Sequence, residues 1–162
     1  MKRNSDGILN AELSHAIASA GHTDTLMIVD AGFPIPEDAW RIDLALTRGV
    51  PELSTVLEAI HDEIVPERVV YADDVPEMNP TFHDQLQDLY ADSGATIETQ
   101  SHETILETGE QAKAIVRTGD FVPWGNVVIE CGTDPADWFD DESVTMPDAY
   151  RKRHEEMYGE PP

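Results

Sequence analysis

The stretch from Gly21 to Pro36, GHTDTLMIVDAGFPIP, admits few local structures. Its apolar run, Leu26 to Val29, is too short for a helix. Gly21 on one side and Pro34 and Pro36 on the other punctuate it, so it reads as a buried strand. His22 stands just before the run. Asp30 stands at its C-terminal end, followed by the small residues Ala31 and Gly32. Strand ends and the loops after them are where α/β proteins place working groups. A histidine and an aspartate at the two ends of one strand are too far apart to meet through local geometry. Joint action requires the fold, or a second subunit, to bring them together.

The rest of the chain alternates helix and strand signals around this segment. Asn10 is placed to cap a helix through Ala20, with Leu13, Ala16, Ile17 and Ala20 on one face and Gly21 as its stop. Arg41 to Leu46 alternates polar and apolar residues, a half-buried strand pattern. Pro51 is suited to the first position of a helix from Glu52 to Ile64, whose apolar stripe is Leu53, Val56, Leu57, Ile60 and Ile64. Pro66 ends it, and Arg68 to Ala72 reads as a strand. Asp73 to Met78 reads as an acidic loop. Asn79-Pro80 opens a helix with Phe82, Leu86 and Leu89 inward, ending near Ser93-Gly94. Thr96 to Thr99 reads as an edge strand, and Ser101 caps a brief helix holding His102 and Ile105. Ala114 to Arg117 and Asn126 to Cys131 read as strands. The alternation predicts an α/β fold, a three-layer α/β/α sandwich around a mainly parallel, mixed sheet. Two parts are expected: a domain over 1–132, and an acidic C-terminal extension over 133–162, poorly ordered or packed on a partner, in which Asp148 to Tyr158 reads as a short amphipathic helix.

Composition narrows the setting. The chain has 162 residues, a one-domain length, and 40% of them are hydrophobic, enough for one core. No apolar run approaches a membrane span. Met1 to Asp6 holds two basic residues with no apolar region behind them, so no secretory signal is read there. The single cysteine, Cys131, excludes an internal disulfide and any multi-cysteine metal cluster. A reduced, cytoplasmic protein is expected. Asp and Glu number 33 against 10 Lys and Arg, a formal charge of −23. Such a surface repels itself in dilute buffer and needs cations to screen it, which points to a salty cytoplasm. With no basic patch to neutralise phosphates, nucleic acid is not an expected partner.

Glycine-rich phosphate loops, nucleophile elbows and zinc-protease helices are all missing from the sequence. His15, His22, His61, His83, His102 and His154 are scattered, and none stands at a metal-binding spacing, so neither metal nor cofactor is expected. His15 reads as a solvated surface group, Asp73-Asp74 as a solvated turn and Cys131 as inert core. Three features remain: His22 with Asp24 and Asp30; His102 at a helix start; and Pro123-Trp124-Gly125-Asn126 at the mouth of a strand. Histidine is the side chain best suited to proton transfer near neutrality, although many histidines are only surface groups. Trp124 beside Asn126 would suit a sugar, with a ring face to stack on and an amide for hydroxyls. Plain packing is the competing reading for Trp124.

The residues GHTDTLMIVDAGFPIP and RIDLALTRGVP, with Asn79-Pro80 and His83, His102-Glu103, and AIVRTGDFVPWGNVVIECG, resemble the D-ribose pyranase family, kin of the L-fucose mutarotases. The resemblance runs from about Gly7 to Gly132. It implies a cofactor-free isomerase that interconverts the pyranose and furanose forms of ribose. In that reading His22 is the general acid, Asp30 and His102 contact sugar, and Trp124, Gly125 and Asn126 fall where the family has a sugar-binding Tyr-Ala-Asn. Trp for Tyr keeps the stacking face and exchanges a hydroxyl for a donor-only N–H. The resemblance also implies a ring-shaped homo-oligomer with sites completed across subunit boundaries. Alternatives in view are a mutarotase for another sugar, such as L-fucose, and a sugar-binding or transport-accessory module without turnover.

Overall fold

The chain forms one sheet of six strands: β1 (Thr25–Val29), β2 (Arg41–Asp43), β3 (Pro66–Ala72), β4 (Thr96–Gln100), β5 (Ala114–Arg117) and β6 (Asn126–Cys131). The computed structural model describes residues 7–141 and 143–159; Met1 to Asp6, read above as no secretory signal, lies outside them. Strand order is β2-β5-β1-β6-β3-β4. β5 runs parallel to β1 and β2, and β3 runs parallel to β4. β6 runs antiparallel between β1 and β3. The sheet is therefore mixed and mainly parallel, as the alternating pattern implied. β1 sits near the middle, with Leu26 opposite Ala114 on one side and Ile129 on the other. Leu26 to Val29 are wholly buried, which is why this strand reads as a continuous apolar run without alternation.

Helices α1 (Ala11–Ser19), α2 (Leu53–His61), α3 (Val75–Met78) and α4 (Pro80–Tyr90) contribute to the larger core. Leu13, Val56, Leu57, Ile60, Val75, Phe82 and Leu86 there meet Leu26, Ile28, Val116 and Val127 of the sheet. Each such side chain contributes about 1.5–3 kcal/mol by leaving water. The opposite face is thinner. α5 (His102–Thr108) and the loop carrying Phe33 and Ile35 cover Met27, Val29, Val70, Ile115 and Val128.

Several local expectations need correction. The Arg41 to Leu46 strand is only Arg41–Asp43, because the chain then leaves the sheet edge and closes a small bridge between Thr47 and Val50. Pro51 precedes the N-cap Glu52, and the Leu53 N–H is capped from afar by Asp120 Oδ2 at 2.9 Å. Pro66 does not end α2; it starts β3. Asp73 to Met78 is no plain loop but contains the single turn of α3. Gly21 is not a left-handed helix stop; α1 ends at Ala20 in extended backbone.

The C-terminal segment is helical over Asp148–Tyr158, the stretch that reads as a short amphipathic helix. It holds α6 (Pro135–Trp138) and α7 (Asp148–Tyr158), and α7 packs on its own chain through the buried Arg153. No described helix is long and apolar enough to cross a membrane.

Candidate functional site

The chemistry-bearing residues fall into two groups at opposite ends of the sheet. The first lies where β1 and β5 end and β6 begins. Asp30 leaves β1 into a tight loop whose shape the carboxylate itself holds, accepting from Gly32 N at 2.7 Å. A Cβ at position 32 would stand 3.3 Å from that same oxygen, so the loop suits glycine. Asn126, buried at the start of β6, accepts through Oδ1 from Asp30 N at 3.3 Å. Burial pushes the Asp30 carboxyl above its usual value. Hydrogen bonds from Gly32, Phe33 and Asn126 and the charge of His102 pull it back in part. His102, the first residue of α5 after its cap Ser101, is thus within electrostatic reach of Asp30; its Nδ1 is buried and makes no hydrogen bond among the described residues.

Trp124 and Gly125 shape the same mouth. Val122 to Gly125 is a turn closed by Gly125 N donating to Val122 O at 2.9 Å. Pro123 takes its second position. Trp124 takes the third with φ 55, where a type II turn calls for glycine. A Cβ on Gly125 would lie 2.8 Å from Val122 O, so the family's alanine would crowd this backbone. Trp124 is half-buried and packs against the larger core. Asp30, Gly32, Arg117, Phe121 and Pro123 line a depression of about 360 Å³. A groove of about 410 Å³ between α2 and α4, lined by Ser54, Leu57, Phe82 and Leu86 among others, is larger but holds none of these groups.

His22 lies at the other end. Five strand residues at about 3.3 Å each put roughly 17 Å of β1 between it and Asp30. Its turn is closed by Asp24 N donating to Gly21 O at 3.0 Å and anchored to β6 by Thr23 N donating to Cys131 O at 2.8 Å. Thr23 has φ 71, a rare setting for a β-branched residue. Thr23 and Trp124 are the two non-glycine residues with positive φ among the described residues, and each adjoins a candidate site residue. Asp24 accepts from Gly21 N and from Lys113 Nζ, both at 2.8 Å; these bonds, the backbone one first, hold its carboxyl below the usual value. His22 is partly exposed and not sealed in the core; its Nε2 lies 2.6 Å from Glu67 Oε2 on β3.

One chain thus brings together Asp30, His102, Gly125 and Asn126, with Trp124 at the rim, and leaves His22 apart. Sequence reasoning missed two contributors. Glu67 partners His22, but it is one acid among 33 and nothing local marks it. Arg117 donates from Nε to Ala31 O at 3.1 Å and from Nη1 to both carboxylate oxygens of Asp43 at 3.1 Å, fixing the loop after Asp30. Its place at the end of β5, before the Thr118-Gly119-Asp120 turn, was the available signal. Among the described residues no three His, Cys, Asp or Glu side chains are grouped to hold a metal. Cys131 is buried, and burial pushes its thiol up to about 11.

A first group built from a carboxylate, an amide, an imidazole and an aromatic rim suits a small polyhydroxylated ligand. Comparison with known proteins agrees. The profile of the RbsD / FucU transport protein family matches residues 2–134. "D-ribose pyranase 1" of Streptomyces griseus is 51% identical over 154 residues, 94% of this chain and 99% of its own. "D-ribose pyranase 2" of Rubrobacter xylanophilus is 48% identical over 154 residues, 94% and 97% of the two chains. The structure of Bacillus subtilis RbsD complexed with D-ribose superposes with a TM-score of 0.76 at 35% identity, covering 82% of this chain and 98% of that one. The fucose mutarotase of Streptococcus pneumoniae, at 20% identity and a TM-score of 0.66 over 76% and 92% of the two chains, shares the fold. The chain belongs to the RbsD / FucU family.

Proposed function

We propose that the protein is a D-ribose pyranase, an isomerase that opens ribopyranose and recloses it as ribofuranose. The observation that carries the reading is Asp30, which lines a depression, is hydrogen-bonded by Asn126 and feels the charge of His102, in a chain 51% identical to a protein named for this activity. Opening breaks the bond from C1 to the ring oxygen. The anomeric hydroxyl gives up a proton to water, the ring oxygen gains one, and C1 becomes the aldehyde. Rotation brings the C4 hydroxyl to C1. Its oxygen bonds to C1 and loses a proton, and the carbonyl oxygen gains one. No carbon–hydrogen or carbon–carbon bond breaks and no redox partner is consumed.

His22 supplies the proton to the ring oxygen. An ionised carboxylate only accepts hydrogen bonds, so Glu67 holds the Nε2 proton, and the proton that the ring oxygen receives comes from Nδ1 of the doubly protonated ring. Asp30, His102 and Asn126 grip hydroxyls, and Trp124 offers a ring face. Because His22 is a strand's length from these groups, the site is completed between subunits: His22 of one copy faces the Asp30 cluster of the next, in a ring-shaped homo-oligomer. The −23 charge supports a salt-adapted, cytoplasmic protein, with 1–132 as the sugar domain and 133–162 as its extension.

The test is NMR saturation transfer between ribopyranose and ribofuranose signals, with a panel of other sugars. Ribose exchange should be accelerated, and His22→Ala should lose about 10²–10⁴-fold of that acceleration. Acceleration confined to fucose anomers would move the protein to the mutarotase branch. Ribose binding without acceleration would make it a binding module.

A further inference from the structure

We infer that Arg153, delivered by the C-terminal helix, is a positioning residue for His22, so that the extension is a working part of the sugar site. This rests on the reading of His22 as the acid. α7 is a polar helix whose buried residue is an arginine, 7% exposed. Burying a guanidinium costs several kcal/mol unless partners repay it, and here the partners lie on β3. Arg153 Nη2 donates to Pro66 O at 2.6 Å, and Nη1 lies 3.6 Å from Glu67 Oε2. That oxygen is the one 2.6 Å from His22 Nε2. Glu67 therefore stands between an imidazole and a permanent cation.

Two glycines make room for this arrangement. A Cβ on Gly132 would come within 2.7 Å of Arg153 Nη1. One on Gly94, which has φ +67, would come within 3.0 Å of Arg153 Cγ and 2.6 Å of Met157 Cγ. The neighbouring cations are engaged elsewhere: Lys113 with Asp24 at 2.8 Å, and Arg68 with Glu130 at 3.1 Å and Glu98 at 3.5 Å. Among the described residues, Arg153 is thus the arginine or lysine that pairs with Glu67. Its Nε and Nη1 make no hydrogen bond among the described residues, so the guanidinium is not saturated by packing, and a methionine would fill the same space without the charge. What the charge adds is a fixed place for the Glu67 carboxylate, and through it a fixed orientation for the His22 ring, with Nε2–H toward Glu67.

The experiment uses full-length Arg153→Met, Arg153→Lys and Glu67→Gln, with ring NMR of ¹⁵N-labelled His22 in sugar-free protein and ribose exchange kinetics. In Arg153→Met the His22 ring signals should shift, kcat should fall about tenfold with KM nearly unchanged, and Arg153→Lys should recover part of the loss. The loss should largely vanish when Arg153→Met is added to Glu67→Gln, because both act through one contact. Unshifted His22 signals, or a loss fully additive with Glu67→Gln, overturns the inference. Should Arg153→Met fail to fold, Arg153→Lys carries the same two readouts. If the unsubstituted protein accelerates no sugar exchange, the functional reading fails while the ring signals still report whether Arg153 and His22 are coupled.

Discussion

His22 Nε2 lies 2.6 Å from Glu67 Oε2, joining residues 45 apart in sequence at one end of the sheet. The imidazole is presented by the closed Gly21 to Asp24 turn, which puts Thr23 at a φ of 71 that a threonine adopts at a cost of about 1–2 kcal/mol. Strain of this kind persists where the surroundings over-determine it. Glycine in its place would relieve the strain and loosen the turn. Thr23→Gly should therefore keep or raise stability by up to about 1 kcal/mol, the relief being partly offset by unfolded-chain entropy, while slowing ribose exchange. Thermal unfolding and saturation transfer check the two halves.

Burial at the end of β1 works against the charged form of the Asp30 carboxyl. Its folded-state pKa is raised, so between the ordinary value near 3.8 and the raised one the folded chain binds more protons than the unfolded chain, and stability falls as pH rises. Asp30→Asn keeps an acceptor for Gly32 N and removes the charge. Its Tm at pH 7 should be no lower than that of the unsubstituted protein, with any advantage gone below pH 3.8, while ribose affinity drops at least about tenfold. Calorimetry across pH, with ribose titration, measures both.

Asp24 behaves in the opposite sense. The Gly21 N–H and the Lys113 ammonium depress its pKa, so its contribution is complete above the unfolded value near 3.8 and is lost as pH falls through the depressed one. The Asp24 side chain is just over a third exposed, so screening keeps the pair's contribution small. Lys113→Met should cost up to about 1 kcal/mol at neutral pH, and nothing once Asp24 is protonated. Denaturant unfolding at pH 7 and at low pH gives the difference.

A chain carrying −23 should gain stability from screening alone. Tm should rise between dilute buffer and molar KCl, even as the half-buried Asp24–Lys113 pair weakens. A flat Tm across that range would count against salt adaptation.

Much of the sheet is legible in the sequence because its strands announce themselves in different ways. Leu26 to Val29 is a short apolar run between breakers, Ala114 to Arg117 ends at a glycine turn, and Asn126 to Cys131 follows a proline-led one. Caps were readable too: Asn10, Asn79 and Ser101 each accept from a backbone N–H three residues on. The residues of the Asp30 mouth could be named individually, since each sits at an element end. Their partners could not. Glu67 and Arg153 matter only through contacts across 45 and 86 residues of chain, and no local pattern distinguishes them in so charged a sequence. For the same reason the extension looked detachable: α7 has little apolar surface, and its buried residue is an arginine, seated with Met157 beside Gly94.

The central claim is that His22 of one subunit and Asp30 of another make one site, and hybrids test it most directly. His22→Ala and Asp30→Asn chains, each slowed alone at ribose well below saturation, would be co-expressed, the mixed assemblies verified by native mass, and ribose exchange measured under that condition. In a head-to-tail ring, random mixing leaves about a quarter of the interfaces with both working faces. The account predicts that this fraction of activity returns. Verified hybrids as slow as their parents would contradict it.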